Sequence, residues 1–425
     1  MTYKESLEYM SSLNKRGIHP GVEGIKLLCE ALDNPFGKSE YIHVVGTNGK
    51  GSTTVFLSEI LISAGYKVGV FSSPAVFNER ETIRINRKPI SQNDYARLVD
   101  IISNKNTMGC TAFEVETALA LMYFKERNCD YVILEAGMGG ELDATNVIPN
   151  SRMTVITAIG FDHKQYLGNT LFDIANTKAG VIKPDSICVC TNQSKEAYEA
   201  IFERSEKANA NLIESDYLLA EKIKYKSDVT FFNYKDLKNV EISLIGTFQV
   251  QNACLSIDAA KALGIPDKYI LKGLKSAKEE GRFDKILDKP LFYIDGAHNP
   301  PAAERLKETI KTYFTNKKII YIMGMLKDKD VEAFTETMAP LADCIFTVAT
   351  PKKERTMSAF ELAEVVKGFN SCVTAMDSID EAVEIALSMA DKDTVILAFG
   401  SLSHLSAVKE AVLFFKSRRK GELKV

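Results

Sequence analysis

Several signatures of other protein classes are missing from this sequence. None of its eight cysteines belongs to a CxxC pair, so we expect reduced, buried thiols in a cytoplasmic protein. No long basic stretch accompanies the formal net charge of −3, which disfavours nucleic acid as the main partner. No apolar run approaches the length that spans a membrane, and the first residues lack the apolar segment of a signal peptide.

Two signatures of covalent catalysis are also missing. The sequence contains no GxSxG motif and no setting typical of a nucleophilic cysteine. A mechanism that positions substrates and stabilises charge is therefore favoured over one in which the protein forms a covalent intermediate.

What the sequence contains is the alternation of a large α/β protein. With 425 residues, of which 45% are apolar, the chain is long enough for two or three domains. Alternating apolar and helical runs predict a P-loop domain with a doubly wound, mostly parallel sheet. We place this domain at residues 1–280, with a small mixed sheet at about 186–245. A hinge at 281–289 and a smaller Rossmann-like α/β domain at 290–425 are expected to follow.

The stretch from His43 to Ser52 has the pattern of a phosphate loop between a strand and a helix. Glycines let backbone N–H groups turn toward an anion, the helix N-terminus adds partial positive charge, and Lys50 adds a full charge. The spacing departs from the common P-loop, because Val44 holds its first glycine position and Gly51 is inserted after Lys50. We expect a nucleoside triphosphate here; an ordinary glycine-rich turn before a helix is the alternative.

Polar residues follow other apolar segments. Glu135 ends a predicted buried strand, where doubly wound folds place their chemistry, and a carboxylate there suits Mg²⁺ beside a triphosphate. His163 is predicted at the end of another strand of the same sheet; a lone histidine is usually structural, but this position favours the site. Gln249 and Asn252 share one face of a predicted helix, which a satisfied packing pair explains equally well.

The sequence GTNGKGS resembles the variant P-loop of the Mur-type amide ligases, most closely that of the folylpolyglutamate synthase and dihydrofolate synthase family. Further motifs similar to this family's follow in order: SSP, TxFE, LDATN, DH, KAG, GR and DGAHNP. The resemblance covers almost the whole chain. It implies an ATP- and Mg²⁺-dependent ligase that joins L-glutamate to a pterin carboxylate, of dihydropteroate, tetrahydrofolate or both, through an acyl phosphate. We expect a monomer.

The resemblance also assigns roles to individual residues. It implies ATP contacts at Gly46, Thr47, Asn48, Gly49, Lys50, Gly51, Ser52, Asn252, Arg282 and Asp295. It implies magnesium ligands at Ser73, Glu135, His163 and Lys178, the last as a carbamate formed with CO₂. It implies folate contacts at Pro20, Gly21, Val22, Thr111, Phe113 and Asp143. The implied catalytic residues are Lys50, Lys178 and His298.

Ordinary local chemistry is an alternative for several of these residues. Thr111 has the spacing of a capping box with the glutamate three residues on, and Lys178 taken alone is a helix lysine. The turn around His298 has normal helix-start composition. Two departures from the family pattern leave roles open, namely Ala75 where many relatives carry histidine and Glu141 where they often carry arginine.

Two other functions stay open at this point. One is a Mur-type ligase that adds an amino acid to a cell-wall precursor, disfavoured because the chain reaches its phosphate loop by residue 46. The other is a P-loop ATPase or nucleotide-gated binding module without ligase activity.

Overall fold

The computed structural model describes residues 1–17, 20–106, 109–226, 229–351 and 355–422. The chain divides into two compact units. The first comprises Met1–Ile223, Phe231–Ser243 and Gln249–Ala277, and the second comprises Lys224–Thr230, Leu244–Phe248 and Lys278–Val425. Among the described residues, no helix is both long enough and apolar enough to cross a lipid bilayer.

The first unit is built on one large sheet. Its strands are β1 (Glu40–Val45), β2 (Val68–Phe71), β3 (Ile83–Ile85), β4 (Lys88–Pro89), β5 (Tyr131–Glu135), β6 (Met153–Ile156), β7 (Ile187–Thr191) and β8 (Asn211–Ser215). Their order is β4-β3-β2-β5-β1-β6-β7-β8. Neighbouring strands from β2 to β8 are parallel, whereas β3 and β4 pair antiparallel at one edge. Parallel strands buried on both faces explain the continuous apolar runs of β1 and β5.

Helices cover this sheet, and several of them begin at a capping serine or threonine. They are α1 (Tyr3–Leu13), α2 (Glu23–Ala31), α3 (Lys50–Ser63), α4 (Gln92–Ser103), α5 (Ala112–Glu126), α6 (Lys164–Leu167), α7 (Leu171–Ala179), α8 (Lys195–Lys207), α9 (Gln249–Ala262) and α10 (Asp267–Ser276). The N-cap of α5 is Thr111, and its capping box with Glu114 is formed as predicted. Helix α3 is buried from Ser52 to Leu61, and it packs against α9 and α10.

A small sheet has the order β11-β10-β9, with strands β9 (Ala220–Lys226), β10 (Val229–Tyr234) and β11 (Leu237–Ile242). The sequence analysis predicted that the small sheet begins at about residue 186, which would include β7. This prediction is wrong, because β7 belongs to the large sheet. That strand pairs in parallel with β6, from Met153 opposite Ile187, and so extends the large sheet. An isolated apolar run does not specify which sheet it joins, which is why the prediction failed here.

The second unit has its own sheet with helices. Its elements are β12 (Asp284–Asp288), β13 (Leu291–Ile294), α11 (Pro300–Tyr313), β14 (Lys318–Met323), α12 (Val331–Met338), β15 (Cys344–Thr347), α13 (Ala359–Lys367), β16 (Val373–Ala375), α14 (Ile379–Met389), β17 (Thr394–Phe399) and α15 (Leu405–Glu422). The strand order is β12-β13-β17-β14-β15-β16, and only β12 pairs antiparallel within this described sheet. Most of the segment predicted as a hinge is thus strand β12. The predicted fold class, α/β with a large, mostly parallel sheet and a second sheet domain, is confirmed.

Candidate functional site

The predicted site residues of the first unit follow the carboxyl ends of adjacent parallel strands. Strands β1 and β5 pair with Val44 opposite Glu135, so the phosphate loop starts beside that carboxylate. Strand β2 lies on the other side of β5 with Phe71 opposite Leu134, and Ser73 follows two residues later. This edge is where open parallel sheets bind their ligands.

Two glycines of the phosphate loop have positive φ angles and close neighbours, so a side chain at either position would be strained. Gly46 has φ 150° and Gly49 has φ 93°. A Cβ atom would lie 1.9 Å from Thr157 Oγ1 at the first position and 2.5 Å from Asn252 Oδ1 at the second. The loop then enters α3 at Lys50, so the N–H groups of the first helical turn stand at the end of the loop.

The rest of the loop is held from the neighbouring strand segment and from helix α9. The Thr47 N–H donates to the Ala158 carbonyl over 3.0 Å, and the Thr47 hydroxyl donates to the Gly160 carbonyl over 2.9 Å. Asn48 and Gly51 lie in the same loop and first turn. On α9, Gln249 Nε2 donates to Ser52 Oγ over 3.1 Å, a bond that links the helix to the start of α3.

The predicted pair of polar residues on α9 is in contact. Asn252 Nδ2 donates to Gln249 Oε1 over 3.0 Å, and both side chains are buried. Gln249 and Asn252 are therefore a buried, hydrogen-bonded pair, as the packing interpretation expects. The Asn252 Oδ1 atom is also directed toward the phosphate loop at Gly49.

Two lysine side chains meet at the first glycine of the loop. Lys178 Nζ donates to the Gly46 carbonyl over 2.7 Å, and Lys50 Nζ donates to the same carbonyl over 3.1 Å. Burial, together with the nearby Lys50 cation, lowers the pKa of Lys178 from 10.5 to about 7. Asp162 and Asp143 act in the opposite direction. Lys178 is therefore a buried amine that loses its charge near neutral pH, beside the Lys50 cation.

The four predicted magnesium ligands differ in their surroundings. Glu135 is buried at the end of β5, and Ser73 is half-buried after β2; a carboxylate and a hydroxyl are suitable ligands for a hard cation. His163 is not at a strand end as predicted, because β6 ends at Ile156. Instead it caps α6 in a left-handed conformation. Among the described residues, no three His, Cys, Asp or Glu side chains are gathered as a candidate metal cluster.

The predicted folate residues come from three segments that contact one another. The Gly21 N–H donates to the Leu142 carbonyl over 3.1 Å, which brings the segment containing Pro20 and Val22 to the LDATN loop. A Cβ atom at Gly137 would lie 2.7 Å from Phe113 Cζ, so that loop also packs against the start of α5. Thr111, Phe113 and Asp143 thus belong to one region of the first unit.

Asp143 is held by hydrogen bonds within its own loop. Its Oδ2 atom accepts from the Met138 N–H over 2.8 Å. Its Oδ1 atom accepts from the Thr145 N–H over 3.0 Å and from the Thr145 hydroxyl over 2.5 Å. Burial raises the pKa of Asp143, and these hydrogen bonds oppose the rise. Both carboxylate oxygens therefore accept hydrogen bonds from residues of the same loop.

The predicted residues of the second unit also converge. Asp295 Oδ2 accepts from the Phe283 N–H and Oδ1 accepts from the Ala297 N–H, each over 2.7 Å. Burial raises the pKa of Asp295, and the nearby Arg282 cation opposes the rise. His298 Nδ1 lies 2.7 Å from the Gly296 carbonyl. Asp295 and His298 follow β13, whose neighbours in the sheet are β12 and β17, while Arg282 directly precedes β12.

Comparison with known proteins identifies the chain's relatives. The family profile of the Mur ligase middle domain matches residues 44–260, and that of the Mur ligase glutamate ligase domain matches residues 281–402. A dihydrofolate synthase/folylpolyglutamate synthase of Bacillus subtilis is 32% identical, over 96% of this chain and 98% of its own. A folylpolyglutamate synthase of Lacticaseibacillus casei is 30% identical, over 98% of this chain and 100% of its own.

The chain belongs to the folylpolyglutamate synthase family of Mur ligases. Among solved structures, the Mycobacterium tuberculosis folylpolyglutamate synthase complexed with ADP superposes with a TM-score of 0.89 at 26% identity. That match covers 96% of this chain and 99% of the other. The family resemblance predicted from the sequence motifs is confirmed.

Glu141, which departs from the motif of the folylpolyglutamate synthase family, has a hydrogen-bond partner in the structure. Glu141 Oε2 accepts from Arg204 Nη2 on α8 over 2.8 Å, and Arg204 Nε also donates to Asn176 Oδ1 over 2.6 Å. The pair is partly exposed, so its contribution to stability is small. Ala75 is half-buried in the loop after β2, and nothing in its surroundings explains its identity.

The sequence patterns did not indicate a role for His43, which lies within strand β1. Its ring is fully buried, and Nε2 lies 2.8 Å from Thr145 Oγ1. The available signal was a titratable residue inside the apolar run YIHVV. The partner is 102 residues away in the sequence, which no local pattern reveals.

Proposed function

We propose that this chain is an ATP-dependent ligase that joins L-glutamate to the carboxylate of a pterin acid or folate. Family membership supports the proposal, and one structural observation carries it. Helix α7 contacts both substrate loops. Lys178 bonds to Gly46 of the phosphate loop. The Thr177 carbonyl accepts over 2.8 Å from the N–H of Glu141, the residue that directly precedes the LDATN loop. The nucleotide loop and the proposed pterin loop are therefore neighbours within the first unit.

The proposed reaction has two steps. A carboxylate oxygen of the pterin acid attacks the γ-phosphorus of ATP, the bond to the β-phosphate oxygen breaks, and ADP leaves. The amine of L-glutamate then attacks the acyl carbon and loses a proton, and inorganic phosphate departs as the amide forms. Lys50 and the first turn of α3 bind the phosphate oxygens and stabilise their charge.

The residues after β2 and β5 fit a magnesium ion, since Ser73 and Glu135 offer oxygen atoms. We propose that they hold it together with His163 and a carbamate on Lys178. Bound Mg²⁺ supplies charge stabilisation to the phosphate oxygens. The lowered pKa of Lys178 supports the carbamate, because only a neutral amine reacts with CO₂, and the product anion faces the Lys50 cation.

We also propose nucleotide contacts for Asn252 in the first unit and for Arg282 and Asp295 in the second. His298 is proposed to act on the γ-phosphate. Residues 1–280 then form the ATP- and folate-binding domain and 290–425 the ligase domain. Most of the segment predicted as a hinge, 281–289, contributes strand β12 to the sheet of the second unit. We propose a monomer that acts in the cytoplasm, which the free cysteines of the chain favour.

The test is an ADP-release assay on the purified chain with ATP and Mg²⁺. Dihydropteroate and tetrahydrofolate are each supplied with and without L-glutamate, and mass spectrometry counts the glutamates in the product. We expect sustained ADP release only when both substrates are present. Lys50→Ala should reduce turnover to background, whereas Lys207→Ala, an exposed lysine of the same unit, should leave it unchanged.

The same assay distinguishes the alternatives. ADP release without a pterin or glutamate, together with tolerance of Asp143→Ala, would indicate a P-loop ATPase or binding module. Turnover only with a nucleotide-linked cell-wall precursor would indicate the other branch of the Mur ligases.

A further inference from the structure

A buried chain of three side chains links strand β1 to the proposed pterin loop. His43 Nε2 lies 2.8 Å from Thr145 Oγ1, and Thr145 Oγ1 lies 2.5 Å from Asp143 Oδ1. All three side chains are buried. Strand β1 continues directly into the phosphate loop, so this chain connects the two proposed substrate sites.

The direction of the hydrogen bonds follows from the donors available. Asp143 Oδ1 also accepts the Thr145 N–H, and the carboxylate is an acceptor at both oxygens. The Thr145 hydroxyl has a single proton and gives it to Asp143, so its oxygen accepts from His43. His43 therefore carries its proton on Nε2.

His43 is a neutral hydrogen-bond donor around neutral pH. Burial, with a further effect of the Lys183 cation, lowers the pKa of His43 to about 3. Its other ring nitrogen, Nδ1, is buried and has no hydrogen-bond partner in the described part of the chain. Burying a polar atom without a hydrogen-bond partner is unfavourable, and an apolar side chain at this position would avoid that cost. The favourable interaction of the ring is therefore made by its Nε2–H group.

We infer that His43 is a positioning residue for the pterin acid, acting through Thr145 to fix the orientation of the Asp143 carboxylate. The inference rests on the proposed function, because Asp143 acts on the pterin only if the chain is a pterin ligase. His43 itself touches no substrate. Its loss should weaken binding of the pterin acid and leave ATP binding unchanged.

The test compares kinetic constants of four single variants and of the double variant His43→Leu/Thr145→Val with those of the wild type. His43→Leu removes the donor, Thr145→Val removes the linking hydroxyl, and His43→Gln retains an N–H donor of similar reach. Thr154→Val is the matched control. Thr154 lies opposite His43 on β6, is buried, and its hydroxyl has no partner among the described residues.

We expect His43→Leu and Thr145→Val each to raise KM for the pterin acid roughly five- to tenfold, the effect of one lost neutral hydrogen bond on a binding group. The double variant should be no worse than the more affected single variant, because both changes break one chain. His43→Gln should recover to within about twofold, and KM for ATP should stay within about twofold throughout. The effect should be the same at pH 8 and pH 9, since His43 stays neutral across this range and both values lie above the pKa of Lys178.

Several results would overturn the inference. These are an unchanged pterin KM in His43→Leu, an equal rise in Thr154→Val, an equal rise in KM for ATP, or independent, additive effects of the two single changes. If His43→Leu does not fold, Thr145→Val and His43→Gln decide the question. A wild-type chain that makes no product refutes the proposed function and this inference with it, whereas normal wild-type turnover with unaffected variants refutes the inference alone.

Discussion

Replacing Lys178 with methionine should stabilise the metal-free, ligand-free chain. Burial, with Lys50 nearby, lowers the pKa of this amine from 10.5 to about 7. At 1.36 kcal/mol per pKa unit, holding the amine in the fold costs about 5 kcal/mol at pH 7. Methionine is of similar length and cannot ionise, but it loses the hydrogen bond to the Gly46 carbonyl, which contributes about 1 kcal/mol. The expected net gain is about 3–4 kcal/mol.

The pH dependence of this gain has a definite sign. Between pH 7 and 10.5 the unfolded chain binds a proton at Lys178 that the folded chain does not, so the wild type gains stability as pH rises. The advantage of Lys178→Met should therefore narrow by about 1.4 kcal/mol per pH unit above pH 7. Below pH 7 both states of the wild type are protonated, and the advantage should be constant.

The measurement is urea-induced unfolding followed by circular dichroism, because the chain contains no tryptophan. It is made at pH 7, 8 and 9 in CO₂-depleted, magnesium-free buffer. Lys207→Met, a change at an exposed lysine, serves as the control and should match the wild type at each pH. Equal stability of Lys178→Met and the wild type at pH 7, or a difference that does not narrow by pH 9, would refute the reasoning. Turnover of Lys178→Met should be at background.

Two further predictions concern backbone and carboxylate geometry. Gly49→Ala should weaken ATP binding at least about tenfold by calorimetry, because its Cβ would lie 2.5 Å from Asn252 Oδ1; Gly65→Ala has the same left-handed backbone but open space, and should bind ATP normally. Asp295→Asn should lower the free energy of unfolding of the second unit by about 1–3 kcal/mol, since an amide accepts at only one of the two positions now receiving backbone N–H groups. Equal denaturation midpoints for Asp295→Asn and the wild type would contradict that account.

The parts of the structure that were predictable depend on local chemistry. The glycines, lysine and helix start of the phosphate loop are within ten residues of each other, and the Thr111–Glu114 capping box needs only four. The meeting of the phosphate loop with Glu135 was also predictable, because carboxyl ends of parallel strands share one edge of a sheet. The family resemblance then supplied residues for which local patterns indicate no function.

The parts that were not predictable depend on pairings distant in sequence. Strand β7 looks like any short apolar strand, and only its pairing with β6 assigns it to the large sheet. The bond between His43 and Thr145 spans 102 residues. The lowered pKa of Lys178 likewise arises from burial and from Lys50, neither of which is apparent in the helix sequence around it.

The proposed active region of the first unit disfavours charge in the absence of ligands. Burial lowers the pKa of Lys178 and raises that of Asp143, so both groups are shifted toward their uncharged forms. Under the proposed function, Lys50 and the start of α3 balance the charge of the anionic phosphates. Under the proposed function, the unfavourable burial of Lys178 serves catalysis. The substitution that relieves it should then give a more stable protein without activity, as expected when an active site is retained at the expense of stability.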